Sequence, residues 1–230
     1  MTKKICGFLH IALMEGFSGL SIANELHGRI LQSGLYDKSD SIYVCLLGPS
    51  DQIYHMLYHV FQPYPKYHVF QMHGNFAMWE WPTIQALKEH ANEHDHDIWY
   101  MHTKGASNTR ADVPAYIRAN LSDWRNLMFT AMTKDIATTQ HILEETQGAA
   151  GPFLKNTPAP HFMGNFWWAS AKHLRDIPRP TERDIRDRMF SEMWIGSQGG
   201  TLTSLADGPL DDPYGFNTDE ARVFAPYQAI

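Results

Sequence analysis

Ile98-Trp99-Tyr100-Met101-His102-Thr103-Lys104-Gly105 is the stretch whose reading decides the fold. Four apolar residues of strand-like composition run directly into a polar, cationic turn closed by glycine. In an open α/β sheet, ligands bind just beyond the carboxyl ends of the strands. The octapeptide therefore predicts a buried strand that delivers His102, Thr103 and Lys104 to a binding edge. Lys104 supplies a compact point charge suited to phosphate, and Gly105 lets a backbone come close. A strand end closed by an ordinary polar turn accounts for these eight residues equally well.

Working outward, strands and helices alternate. Residues 4–10 and 41–47 read as strands, and so do 67–72. Between them, Ser18 can cap a helix with Leu20, Ala23, Leu26, Ile30 and Leu31 at helical spacing, and Ser50 a second with Ile53, Met56, Leu57, Val60 and Phe61. Pro82 sits at a plausible first helical position for a third helix, running to about His94. Four strands with intervening helices predict a parallel sheet wound by right-handed crossovers. Beyond Gly105, a helix is expected from about Pro114, with Ile117, Leu121, Trp124, Met128 and Ala131 as its stripe. A Gly/Pro-rich stretch (148–160), an aromatic strand (162–169), a helix from Ala171 and a helical segment over 181–195 follow. The residues from Gly208 on read as an irregular tail. No repeat, low-complexity tract or linker interrupts the pattern, so one domain is expected.

Composition narrows the function classes. The chain has 230 residues, 43% of them hydrophobic, enough for one well-buried core. Its longest apolar runs are strand-sized, too short for a membrane span or a signal peptide, so a cytoplasmic protein is expected. Cys6 and Cys45 each lie within a strand-like run, which favours buried thiols over a disulfide or a metal site. His90, His94 and His96 surround a helix–strand junction and do not read as a ligand set. A net charge of −6 argues against a broad nucleic-acid face. The loop after the first strand carries Gly16 and Gly19 but no Gly-x-Gly-x-x-Gly, and no Gly-x-x-x-x-Gly-Lys-Ser/Thr or Gly-x-Ser-x-Gly occurs. Dinucleotide oxidoreductases, P-loop enzymes and α/β-hydrolases are disfavoured.

Two further blocks carry chemistry. His161-Phe-Met-Gly-Asn-Phe-Trp-Trp-Ala-Ser places two adjacent tryptophans on a strand, pointing to opposite faces. One can fill the core while the other faces a cleft, with Asn165 beside them as donor and acceptor. Apolar faces and an amide are what a sugar ring needs; a pair of core tryptophans is the plainer reading. In Arg188-Met-Phe-Ser-Glu-Met-Trp-Ile, Glu192 lies among Phe190, Met193 and Trp194, a setting that suits a general base. A surface pair with Arg188, one turn earlier, is the alternative.

Together the three blocks resemble the small glycosyltransferase-like proteins of the GT-A fold found in bacteria and phages. Those carry a His-Thr-Lys-Gly turn, an Asn-Phe-Trp-Trp strand and a Glu-x-Trp-Ile helix, here residues 102–105, 165–168 and 192–195. A Ser-Gly-Leu-Tyr-Asp stretch at 33–37 also fits. The resemblance covers residues 4–197 and implies an α/β fold: a single GT-A-like (Rossmann-like) domain with a mostly parallel central sheet flanked by helices. Residues 1–105 would be the nucleotide-binding half, 106–207 the acceptor half and 208–230 the tail.

The activity implied is transfer of a sugar from a nucleoside-diphosphate sugar to an acceptor hydroxyl, by inversion, in glycan synthesis. Carried over, His10 and Glu15 lie near the base or ribose. His102, Thr103, Lys104 and Gly105 meet the diphosphate, with Arg125 sharing its charge. His161, Asn165, Trp167 and Trp168 face the sugar and acceptor, and Glu192 is the base. Enzymes of this fold usually place Asp-x-Asp after the central strand to hold Mn²⁺ or Mg²⁺. Here that position reads His102-Thr103-Lys104, and Asp95-His96-Asp97 precedes the strand. A metal-independent site is the expectation, with a divalent cation the alternative. Two other readings stay open: a phage-type enzyme that glycosylates hydroxymethylated DNA bases, for which the Arg179, Arg183, Arg186 and Arg188 cluster speaks, and a non-catalytic carbohydrate- or nucleotide-binding module.

Overall fold

Strands β1 (Ile5–Ala12) and β4 (Asp97–His102) are apolar over most of their length and buried almost throughout, as strands covered on both faces must be. They form the centre of a seven-stranded sheet in the order β3-β2-β1-β4-β8-β5-β9. In the computed structural model, residues 3–13, 18–48, 51–73, 76–106 and 113–207 are described. Glu15, the Ser50 cap and the 208–230 tail fall outside them.

β2 (Ser41–Leu47) and β3 (Tyr67–His73) extend the parallel half beside β1. On the other flank, β8 (Trp167–Ser170) runs antiparallel to both β4 and β5 (Ala149–Pro152), and β9 (Leu202–Ala206) pairs parallel to β5. The expected mostly parallel sheet flanked by helices is what forms. Helices α1 (Ser18–Gln32), α2 (Leu35–Lys38), α3 (Asp51–Phe61), α4 (Trp81–Glu93), α5 (Ala115–Thr133) and α6 (Ile136–Thr146) occupy the connections or their continuations. Two apolar clusters lie on opposite faces of the sheet. One joins α1, α3, α5 and α6 through Leu26, Leu57, Met128, Leu143 and Trp168; the other joins α4 through Trp81, Leu87, Tyr100 and Trp167.

The second half departs from the sequence reading. The single strand expected over 162–169 is two short ones, β7 (His161–Phe162), paired with β6 (Leu154–Lys155), and β8. Gly164 at φ +84° and Asn165 at φ +59° break it, and left-handed backbone cannot continue a strand. The helix expected over 181–195 is likewise broken into α8 (Glu182–Ile185), α9 (Arg188–Met193) and a 3₁₀ turn at Trp194–Gly196. Asp187 restarts it by accepting from the Met189 amide at 2.9 Å, as an N-cap does. α6, β5 and β9 were not anticipated at all. α7 (Ala171–Asp176) follows β8, capped by Ser170.

Both cysteines are buried free thiols. Burial pushes Cys6 up to about 12 and Cys45 to about 11, so neither is an activated nucleophile.

Candidate functional site

The order of strands reverses between β1 and β4: β2 and β3 lie to one side of β1, while the chain returns through α4 to lay β4 on the other. In open α/β sheets the crevice at such a reversal, outside the carboxyl ends of the strands, is where ligands bind. Here that edge is formed by His10 to Ala12 and by His102 to Lys104. Thr103 bridges them: its amide donates to the His10 carbonyl at 3.0 Å and its hydroxyl accepts from the Ala12 amide at 2.9 Å.

A buried polar network fills the edge, and its hub is Glu80, which sequence reasoning missed. One carboxylate oxygen accepts from the Tyr100 hydroxyl at 2.8 Å and from Asn165 Nδ2 at 2.5 Å. The other lies 3.2 Å from His102 Nδ1. His102 Nε2 donates to the Gly164 carbonyl at 2.9 Å, and Trp167 Nε1 donates to Asn165 Oδ1 at 2.8 Å. Burial holds the His102 pKa below the ordinary imidazole value, while the Glu80 carboxylate pulls it the other way. Left-handed backbone at Gly164 and Asn165 aims both groups inward. A Cβ on Gly164 would stand 2.3 Å from Met128 Sδ.

Lys104 crosses this edge to α9. Its Nζ donates to Glu192 Oε1 at 2.8 Å, and both side chains are largely shielded from water. The ammonium also lies 5.1 Å from the centroid of Trp124, a cation–π contact. The Trp124 indole nitrogen is buried with no acceptor among the described residues. Gly105, at φ +85°, leaves room for Arg125, whose guanidinium donates to the Lys104 carbonyl at 3.1 Å and to Glu25 at 3.1 Å. Arg125 thus braces the turn's backbone with its charge already paired. The alternative partner foreseen for Glu192, Arg188, has a side chain outside the description.

The three sequence blocks do meet. Tyr100, His102 and Lys104 come from the first, Asn165 and Trp167 from the second, and Ser191 and Glu192 from the third, with Asn165 Nδ2 reaching the Ser191 carbonyl at 3.4 Å. Other placements differ from expectation. Trp167 and Trp168 do point to opposite faces, but both are buried, at 1% and 0% exposure, and neither faces a cleft. Rings covered on both sides have no face left for a sugar. Trp168 instead donates to the Met132 carbonyl on α5 at 3.0 Å. His10 is buried with its Nδ1 2.9 Å from Thr83 Oγ1. His161 turns to the Ala159 carbonyl at 2.7 Å, within its own loop. Asp97 opens β4, and Asp95 pairs with Lys3 and Arg175, so this Asp-x-Asp lies at the opposite end of the sheet.

Residues 29–194 match the family described as a domain of unknown function, DUF8361. The chain belongs to that family. No curated protein matches this DUF8361 member. Among solved structures, it is distantly similar to 4-diphosphocytidyl-2C-methyl-D-erythritol synthase, at 12% identity and a TM-score of 0.42 over 89% of each chain. No helix among the described residues of the DUF8361 chain is long and apolar enough to cross a membrane.

Proposed function

We propose that this DUF8361 protein is a nucleotide-sugar-dependent glycosyltransferase whose donor diphosphate sits at the carboxyl ends of β1 and β4. The observation that carries the reading is the Lys104–Glu192 pair, 2.8 Å apart at the reversal of strand order. It puts a cation suited to phosphate next to a carboxylate suited to a hydroxyl proton. Glycosyl transfer needs both: charge stabilisation of the departing diphosphate is typically the large term, and a carboxylate within reach of the acceptor hydroxyl removes its proton. In this reading Lys104 exchanges Glu192 for phosphate oxygens when the donor binds. The released carboxylate then takes the acceptor proton as the hydroxyl attacks the anomeric carbon and the nucleoside diphosphate leaves.

Among the described residues of this edge, the carboxylates do not fit Mn²⁺ or Mg²⁺, which need several free oxygen ligands. Glu80 is committed to Tyr100, His102 and Asn165, and Glu192 to Lys104. In this reading Lys104 carries the charge of the leaving diphosphate.

The test is a thermal-shift screen of UDP, GDP, CMP and TDP sugars, each with EDTA and with Mn²⁺, followed by assay of nucleotide release. One donor raises the melting temperature by mass action in EDTA. Lys104→Met abolishes that shift, and Glu192→Gln keeps it while turnover falls by roughly 10²–10⁴-fold. No shift with any donor overturns the proposal. A shift with no nucleotide release under any acceptor condition favours a non-catalytic binding module, the reading supported by a carboxylate that already holds a partner.

A further inference from the structure

At the other end of the same sheet, the fold assembles a group of side chains that the proposed transfer does not use. Cys6 enters β1, His90 lies in the last turn of α4, and His96 sits in the short connection from α4 to β4. Their ligand atoms, one sulfur and two ring nitrogens, all lie within 4.8 Å of one another. His90 Nε2 and His96 Nδ1 are 2.9 Å apart, and Cys6 Sγ lies 3.3 Å from Ser41 Oγ. A third imidazole flanks the group: the His94 ring centroid is 4.6 Å from His90 and 5.1 Å from His96, and its side chain is half exposed. The cluster stands four residues along β1 from His10, about 13 Å at strand rise. It is therefore separate from the Lys104 edge.

We propose that Cys6, His90 and His96 form a zinc site, with His94 or a water in the fourth position. The donor set decides the metal class. One thiolate and two imidazoles suit a borderline-soft ion such as Zn²⁺ and are poor ligands for Mg²⁺ or Ca²⁺. The distances allow it. Zinc bonds of about 2.3 Å to sulfur and 2.0–2.1 Å to nitrogen, set tetrahedrally, put ligand atoms about 3.3–3.6 Å apart. The two ring nitrogens need to separate by only about 0.4 Å to reach that spacing. The elements are those best able to hold ligands still: a central strand, a helix end and a three-residue connection, with the Phe8 and Tyr43 rings against His90. On binding, the Cys6 thiol proton goes to solvent, and the proton shared between the two rings moves to the distal nitrogen of its own ring. Zinc then ties β1 to the α4–β4 connection. The tie lies at the opposite end of α4 from Glu80, so the site acts on the fold and not on the transfer step.

The experiment uses the full chain, stripped of metal, titrated with Zn²⁺ against a chromophoric chelator and separately with Co²⁺ as a spectroscopic probe. One Zn²⁺ binds per chain, and Co²⁺ gives a thiolate charge-transfer band with tetrahedral ligand-field absorption. Cys6→Ala removes the charge-transfer band. His96→Ala, at the partly exposed edge of the group, weakens zinc binding by at least about tenfold, since even outer-shell partners of zinc ligands are worth 10–100-fold. Circular dichroism of the metal-free variants establishes that they fold, and His68→Ala serves as the surface-histidine control. The proposal is overturned if wild type binds no zinc against the chelator. It is equally overturned if His96→Ala binds as tightly as wild type, or if the cobalt spectrum lacks a thiolate band.

Discussion

Replacing Glu80 tests the architecture of the Lys104 edge most directly. Its carboxylate accepts from Tyr100 and Asn165 and faces His102 Nδ1, and only 13% of its side-chain surface is exposed. Glu80→Ala leaves three buried polar groups without that partner. Hydrogen bonds to a charged group are worth about 1.5–3 kcal/mol each, but the two from Tyr100 and Asn165 share one oxygen and do not add, and water reaching the vacated space replaces part of the loss. Leaving a buried donor without its acceptor costs about 1–3 kcal/mol, and with Tyr100 and Asn165 both affected the expected loss is about 3 kcal/mol. Against a total stability of about 5–15 kcal/mol, it is a large share. Glu80→Gln keeps the volume and one carbonyl acceptor and costs about 1 kcal/mol. Urea unfolding followed by circular dichroism measures both. Asn165→Ala supplies the second side of a double-mutant cycle, in which the two losses sum to at least about 0.5 kcal/mol more than the double variant loses. If Glu80→Ala costs under about 1 kcal/mol, or the two changes are additive, the network is an accident of proximity and the reasoning fails.

Two further outcomes follow from packing and protonation. A Cβ at Gly7 would stand 2.1 Å from the Trp99 ring, which its own bond to Ser39 Oγ at 3.0 Å holds in place. Gly7→Ala therefore destabilises by about 1–3 kcal/mol or more in urea unfolding, and Trp99→Phe costs less in that background than in wild type; a neutral Gly7→Ala contradicts the packing. Burial also holds the pKa values of His27, caged by Phe61, Tyr64 and Tyr67, and of His173, whose Nε2 lies 2.8 Å from the Ile195 carbonyl, below the ordinary imidazole value of 6.5. The unfolded chain takes up protons first, so the stability these residues contribute is complete above pH 6.5 and lost as pH falls toward their lowered folded values. His27→Phe flattens the fall in unfolding free energy between pH 7.5 and 5, and an unchanged slope would exclude His27 from it.

The first half of the fold was legible because its signals are local. Buried parallel strands read as apolar runs, α1 and α3 carry apolar stripes at helical spacing, and α4 has an initial proline. The second half was not, because its breaks depend on backbone that no periodicity reports. Asn165 in left-handed conformation splits one expected strand, and Asp187 divides one expected helix. β5 lies within, and α6 just before, a stretch whose glycines and prolines read as loop. Within the site, the three blocks converge as the resemblance implied, but Glu80 was hidden in Trp79-Glu80-Trp81-Pro82. An acid before a helix start reads as a favourable charge at the dipole. Its partners Tyr100 and Asn165 are 20 and 85 residues away. The tryptophan pair misled for a related reason: alternation fixes which face a side chain takes but not whether that face is covered, and both faces here carry helices.

Sequence motifs present charges one at a time, whereas the fold presents them in pairs, and this changes what Glu192 is expected to do. At the edge of β1 and β4, Lys104 has Glu192 and Arg125 has Glu25. In the proposed transfer, a diphosphate arriving at a chain of net charge −6 finds both of these cations already paired, and gains Lys104 by displacing its carboxylate. The sign of the Glu192→Gln effect follows. If Glu192 acts only on the acceptor hydroxyl, removing its charge frees the Lys104 ammonium, and donor binding tightens while turnover collapses. Even at the about 1 kcal/mol of an exposed pair, the release corresponds to roughly fivefold in affinity. Lys104→Met moves both quantities down together. The comparison is made by titrating donor in EDTA against each variant and reading affinity separately from nucleotide release. Weaker donor binding in Glu192→Gln, in step with Lys104→Met, would mean that the carboxylate orients the ammonium or touches the donor itself. The acceptor base would then have to be sought elsewhere on this edge.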